Sequence, residues 1–274
     1  PAAGHPQQAG AASTAGSTRE AIADFASNLP GYGPSDVYYP PWFLGDWTAN
    51  SELVAVETPQ GEALAGKAAI KARETIGTPA AVERYPQRFI EYRDKIIADR
   101  AYNMRGLYRS GGATNFEYVD WEPSNPNITK LFFKRDGISV RAEMRVTRRA
   151  SGGPDGRNDL FNASEFYQEA VTDVGDANLL QPGGLTSDRP ARSPRVTPVR
   201  CLTKYRLVDG PQIQALQRVE AFPELASEAG ARDFGEVITS SSLGNPERPV
   251  AIYRYRAILV PVPGKGTNKT AASL

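Results

Sequence analysis

The run "ITKLFFKRDGISVRAEMRVTRR", Ile128 to Arg149, constrains the fold more than any other stretch of this chain. Two β-rich segments flank Asp136-Gly137, a dipeptide that favours the type I′ turn of a tight hairpin. In the second arm Ile138, Val140, Ala142, Met144 and Val146 alternate with Ser139, Arg141, Glu143, Arg145 and Thr147. Successive side chains of a strand point to opposite faces. The alternation therefore predicts one face in a core and the other in solvent or against a polar partner.

Other segments read the same way. Asp46–Glu57, Tyr85–Ile97, Ala98–Met104, Asn115–Glu122, Val199–Val208, Gln212–Phe222 and Pro249–Val262 are rich in β-branched and aromatic residues. Val199–Val208 sets Cys201, Thr203, Tyr205 and Leu207 on one side. Ser164–Thr172 fits either a strand or a helix. Roughly nine or ten strands follow, joined by hairpin-type connections with no regularly alternating helix, which speaks against a doubly wound α/β fold. The predicted class is all-β: an antiparallel barrel, which leaves no open edges.

The domain plan is a flexible tail over 1–16, a short helix and linker over 17–37, one barrel domain over 38–263 and a tail over 264–274. Ser17 and Glu20 form a capping box, followed by Ala21, Ile22, Phe25 and Leu29 at helical spacing. Gly61–Gly77 is an Ala-rich insertion with at least a helical turn. Gly175–Pro198 is a long polar connection and Glu224–Asn245 a second insertion. Pro1 in place of Met reads as a processed end.

Composition removes whole classes of function. The 32 basic and 31 acidic residues leave a formal charge of +1, which gives no reason to expect a nucleic-acid partner. The longest apolar run, Ala257–Val262, is too short to span a bilayer, so the chain reads as soluble or peripheral. Cys201 is the only cysteine and His5 the only histidine. No internal disulfide can form, and a Ser-His-Asp triad or a His-ligated zinc would depend on a tail. The loop holding Asp155, Asn158 and Asp159 lacks the ligand spacing and distal Glu of a calcium loop. "GKGTNK", from Gly264, lacks the leading Gly and following helix of a phosphate loop. No catalytic residue, metal site or cofactor is assigned, and the chain reads as a non-enzyme. Cys201 reads as a small buried hydrophobe with no base to activate it.

"YYPPWFLGDWTANSELVAVE" opens the strand-rich region. Its Gly45 and Trp47 resemble the Gly-x-Trp lead-in of lipocalin-like (calycin) barrels. That resemblance implies that a short helical segment closes one end, that Trp47 plugs the floor, and that a late-strand arginine packs on the indole. Arg200, Arg254 and Arg256 are the candidates, and such a contact contributes about 0.5–2 kcal/mol. More broadly, "WFLGDWTANSELVAVETPQG", "NPNITKL", "VTRR", "RCLTKYRL" and "IYRYRAILVPV" are similar to a thylakoid-associated family of cyanobacteria and plastids. The similarity spans most of Tyr38–Val262. It implies a chloroplast protein, on the lumenal side of the thylakoid, that serves photosystem assembly or upkeep and carries no catalytic motif.

Two functions therefore compete. One is a non-enzymatic factor that docks on a photosystem, photosystem II above all, during assembly or repair. A basic stripe of Arg141, Arg145, Arg148 and Arg149 is its candidate docking surface against an acidic protein. The other is a lipocalin-like binder of a pigment, lipid or other small apolar molecule, unless large inward residues such as Phe116, Phe132 and Met144 fill the interior.

Overall fold

The computed structural model describes residues 33–174 (136 and 155 excepted), 195–225 (209 excepted) and 247–263. The expected helix after Ser17, both tails, and most of the Gly175–Pro198 and Glu224–Asn245 segments lie outside the described residues.

Among the described residues ten strands form one antiparallel sheet: β1 (Gly45–Glu57), β2 (Val82–Tyr92), β3 (Lys95–Ala98), β4 (Thr114–Glu122), β5 (Asn125–Arg135), β6 (Ile138–Gly152), β7 (Leu160–Val174), β8 (Arg195–Val208), β9 (Gln212–Ala221) and β10 (Ala251–Pro261). The spatial order is β3-β2-β1-β10-β9-β8-β7-β6-β5-β4. Hairpin neighbours make every pairing except β1 with β10, which joins the first strand to the last over Trp47↔Pro261 to Glu57↔Ile252. The sheet curls into a half-barrel. Among the described residues it does not close, because β3 and β4 are its two edges and do not pair. The expected barrel without open edges is corrected to this extent.

A helix stands in the opening. The segment 98–104 was expected to be a strand; it turns instead into α2 (Arg100–Ser110), whereas the Ala-rich insertion forms α1 (Glu62–Thr75), interrupted at Gly66. Asp99 explains the turn. Its carboxylate accepts from the Tyr102 N–H at 3.0 Å and so caps the first turn of α2. The Asn103 side chain then bonds both the N–H and the C=O of Arg88, at 2.6 and 3.1 Å, doing for that part of β2 what a neighbouring strand would do. Gly106 permits the approach, since a Cβ there would meet the Pro86 carbonyl oxygen at 2.8 Å. On its other side α2 sends Met104 and Tyr108 into a cluster with Leu131, Phe133, Val140 and Ala142. Thus α2 bridges β2 and β4–β6 without a ladder.

Two further clusters fill the concave face. Phe43, Trp47, Ala49, Phe89, Phe161, Ile213 and Leu259 make a floor at one end. Leu53, Val56 and Ala251 pack against Ala69 of α1 at the other. Among the described residues no helix is long and apolar enough to cross a membrane.

Candidate functional site

Gly45 has φ 121°, a backbone state that side-chain-bearing residues avoid, and it turns the chain from the 3-10 helix Pro41–Phe43 into β1. That turn brings the Trp47 indole into the floor, 3 % exposed, where its N–H donates to the Phe43 carbonyl at 2.7 Å. Phe43 is fully buried among Tyr39, Phe89 and Tyr205, with ring centroids 4.8 to 5.0 Å away.

The late-strand arginines do not take part. On β10 the residues Tyr255, Ala257 and Leu259 face inward with Trp47, so Arg254 and Arg256 face outward. Arg200 likewise points away from Cys201 and Thr203. Arg200 bonds Glu220 at 2.5 Å and lies over the Phe222 ring, and Arg254 bonds Glu57 at 2.7 Å. The expected arginine-on-indole contact is therefore corrected: strand parity places all three arginines on the convex face, and aromatic rings close the floor.

Parity also divides the proposed basic stripe. Arg141 and Arg145 project outward and flank buried Glu143 at 3.9 and 3.5 Å, and Arg148 is exposed. Arg149 does the opposite. A β-bulge between Val146 and Arg148 inserts one extra residue, so the faces exchange and the Arg149 side chain turns inward, 3 % exposed. It leaves the stripe. A similar correction applies to Phe132, which lies on the convex face beneath Arg141 rather than in the interior.

Arg149 joins a buried charge network that no local pattern in the chain marks. Its Nε donates to Glu165 at 2.6 Å, and its Nη atoms reach Asn127 and the carbonyls of Pro34 and Pro126. Arg100 of α2 bonds Asp36 at 2.6 Å and Glu165 at 2.7 Å. Burial would push the Glu165 carboxyl up, but the guanidiniums of Arg100 and Arg149 outweigh it and hold the pKa down at about 2. Burial, and then repulsion from Arg100, lowers Arg149. Five separate segments meet here, so the network ties the N-terminal strap, α2 and strands β5–β7 across the open side of the half-barrel.

Above the floor the concave face changes character. Tyr85, Ser51, Tyr255, Gln217, Thr203, Cys201, Tyr167 and Glu165 form a polar belt across β2, β1, β10, β9, β8 and β7. The Gln217 amide donates to Cys201 Sγ at 3.2 Å and to Thr203 Oγ1 at 3.4 Å. Burial pushes the Cys201 thiol up to about 11, against the pull of the Thr203 hydrogen bond, so at neutral pH it is a thiol and no nucleophile. Burial also raises the phenols of Tyr85, to about 12, and of Tyr167, Tyr205 and Tyr255. Yet Tyr85, Tyr167, Cys201, Gln217 and Tyr255 are each only half-buried. These side chains therefore keep accessible surface on the concave face. Strand alternation had put Cys201, Thr203 and Tyr205 on one face; the tyrosines of β2, β7 and β10 carried no sequence signal that set them apart from core aromatics.

Among the described residues no group of His, Cys, Asp and Glu could hold a metal ion. No curated protein and no solved structure matches the chain. Residues 31–262 match the family model described as a domain of unknown function (DUF6816), and the chain belongs to that family.

Proposed function

We propose that this chain is a non-enzymatic accessory factor of the thylakoid, on its lumenal side, that docks on a photosystem, photosystem II above all, during assembly or repair. The location and the partner rest on the resemblance to the plastid and cyanobacterial family. The observation that carries docking is on the convex face of β8–β10. Leu216 is 60 % exposed, the most exposed large hydrophobic side chain described, and Ile258, 39 % exposed, lies beside it on the next strand. In register, Leu216 stands between Lys204 and Arg256. An apolar centre with a cationic rim suits a partner surface that is acidic around a hydrophobic patch. Arg141, Arg145 and Arg148 extend the same convex face along β6.

The test is a sucrose gradient of detergent-solubilised thylakoids. The native protein is expected to migrate with photosystem complexes, and Leu216→Asp with Arg256→Glu to shift it to the small soluble fraction. Native protein confined to that fraction under every growth condition would overturn the reading.

A second reading has its own support. The sheet is a curled half-barrel with the Gly45-Asp46-Trp47 floor, and half-buried polar side chains line its concave face between the apolar clusters. Such a cup holds a small molecule. Co-purifying compounds found by native mass spectrometry would support it, and an empty spectrum from protein taken directly from thylakoids would speak against it.

A further inference from the structure

The hydroxyls of Tyr167 and Tyr255 have no hydrogen-bond partner among the described residues, yet neither is sealed away from accessible space. Each ring leaves its strand on the concave side, Tyr167 opposite Val199 and Tyr255 opposite Gln217. Cys201 stands on the same face two residues from Val199, and the Gln217 amide opposite Tyr255 donates to its sulfur at 3.2 Å, so the two rings lie on either side of the thiol.

We propose that this belt is a binding site for an uncharged molecule with an aromatic or otherwise apolar body that carries carbonyl or ether oxygens, held by hydrogen bonds from Tyr167 and Tyr255. The inference rests on the reading of the interior as a ligand cup and names what that cup selects. The phenols stay protonated and therefore donate. The Gln217 amide N–H groups are already directed at Cys201 and Thr203. The cations next to the belt, Arg100 and Arg149, are engaged by Glu165 and Asp36, so an anionic ligand would lose its hydration without gaining a counter-charge. Glu83, on the same face at the rim, adds negative charge. A cationic ligand fares no better, because Glu165 is already shared between two guanidiniums. What remains favourable is a neutral body against tyrosine rings with acceptors aimed at two free hydroxyls.

The experiment uses the purified full chain and two probes: Nile red, a neutral dye with a ring carbonyl, and cis-parinaric acid, a fatty-acid anion. Saturable Nile red fluorescence is expected, with parinaric acid at least about tenfold weaker. Tyr167→Phe and Tyr255→Phe remove one oxygen each and are expected to weaken Nile red about fivefold apiece. Bound Nile red should also slow the reaction of Cys201 with Ellman's reagent at about pH 9, where a small thiolate fraction reacts, a readout that needs no variant. Nile red that binds with unchanged affinity in both variants, that leaves the thiol reaction unchanged, or that binds no better than the anion overturns the chemical class while leaving the cup. No binding of either probe, with no co-purifying compound, overturns the cup itself.

Discussion

Five strands of this sheet each place two residues, four positions apart, on the same concave face, and the two behave differently. At the floor stand Trp47, Phe161, Tyr205, Ile213 and Leu259; in the belt stand Ser51, Glu165, Cys201, Gln217 and Tyr255. The two levels are separated by about 13 Å of extended chain. The floor is packed ring on ring, and the indole N–H groups of Trp42 and Trp47 are both satisfied by backbone carbonyls. The belt is polar, half-buried and holds unpartnered hydroxyls. A chain selected only for stability would continue the apolar stack upward, since burying apolar surface stabilises and a half-buried polar side chain forgoes that gain. The contrast teaches that the floor and the flanking ion network hold the half-barrel, whereas the belt adds little to that support and is available for the proposed binding.

The largest test of that division is Arg149→Ala. It strands Glu165 and Asp36 beside a single guanidinium, and breaking a buried pair in this way is expected to cost about 3–5 kcal/mol in urea unfolding. A loss below about 1 kcal/mol would remove the network from the support of the cup. Acid is the next lever. The Glu165 pKa is lower in the folded chain than in the unfolded one, so its contribution is complete above about pH 4.5 and fades as pH falls toward about 2. Stability should drop by on the order of 3 kcal/mol across that window, and Glu165→Gln should flatten the drop. Alkali acts with the opposite sign. Cys201 and Tyr85 are raised in the fold, so what their burial in neutral form contributes is complete below about pH 9 and is lost as pH climbs through about 11 and 12. Cys201→Ala should weaken the lower part of this alkaline loss.

Trp47→Phe keeps the ring type but opens space in the floor and leaves the Phe43 carbonyl unpaired. It is expected to cost about 2 kcal/mol. The smallest effect belongs to the belt: Tyr255→Phe should change stability by less than about 0.5 kcal/mol, because its oxygen bonds nothing in the fold. If Tyr255→Phe proved as costly as Trp47→Phe, the belt would be scaffold and the distinction between the two levels would vanish.

The sequence by itself determined most of the strands, the alternating faces of β6 as far as Val146 and of β8, and the hairpin at Gly137. Period-two alternation is a local property, and each strand carries it without help from its neighbours. The alternation in "VRCLTKYRLV" even contained the outward direction of Arg200, once Cys201 and Thr203 were placed inside. Other features exist only in three dimensions. The bulge after Val146 is set by the register of β6 against β7, and one extra residue there converts Arg149 from a surface charge into a buried one. Whether 98–104 continues as strand or turns into α2 depends on Asp99 finding a cap and Gly106 finding Pro86, contacts that span the hairpin. The network of Asp36, Arg100, Arg149 and Glu165 draws on four separated segments, and no local pattern marks side chains that meet only after the sheet has curled.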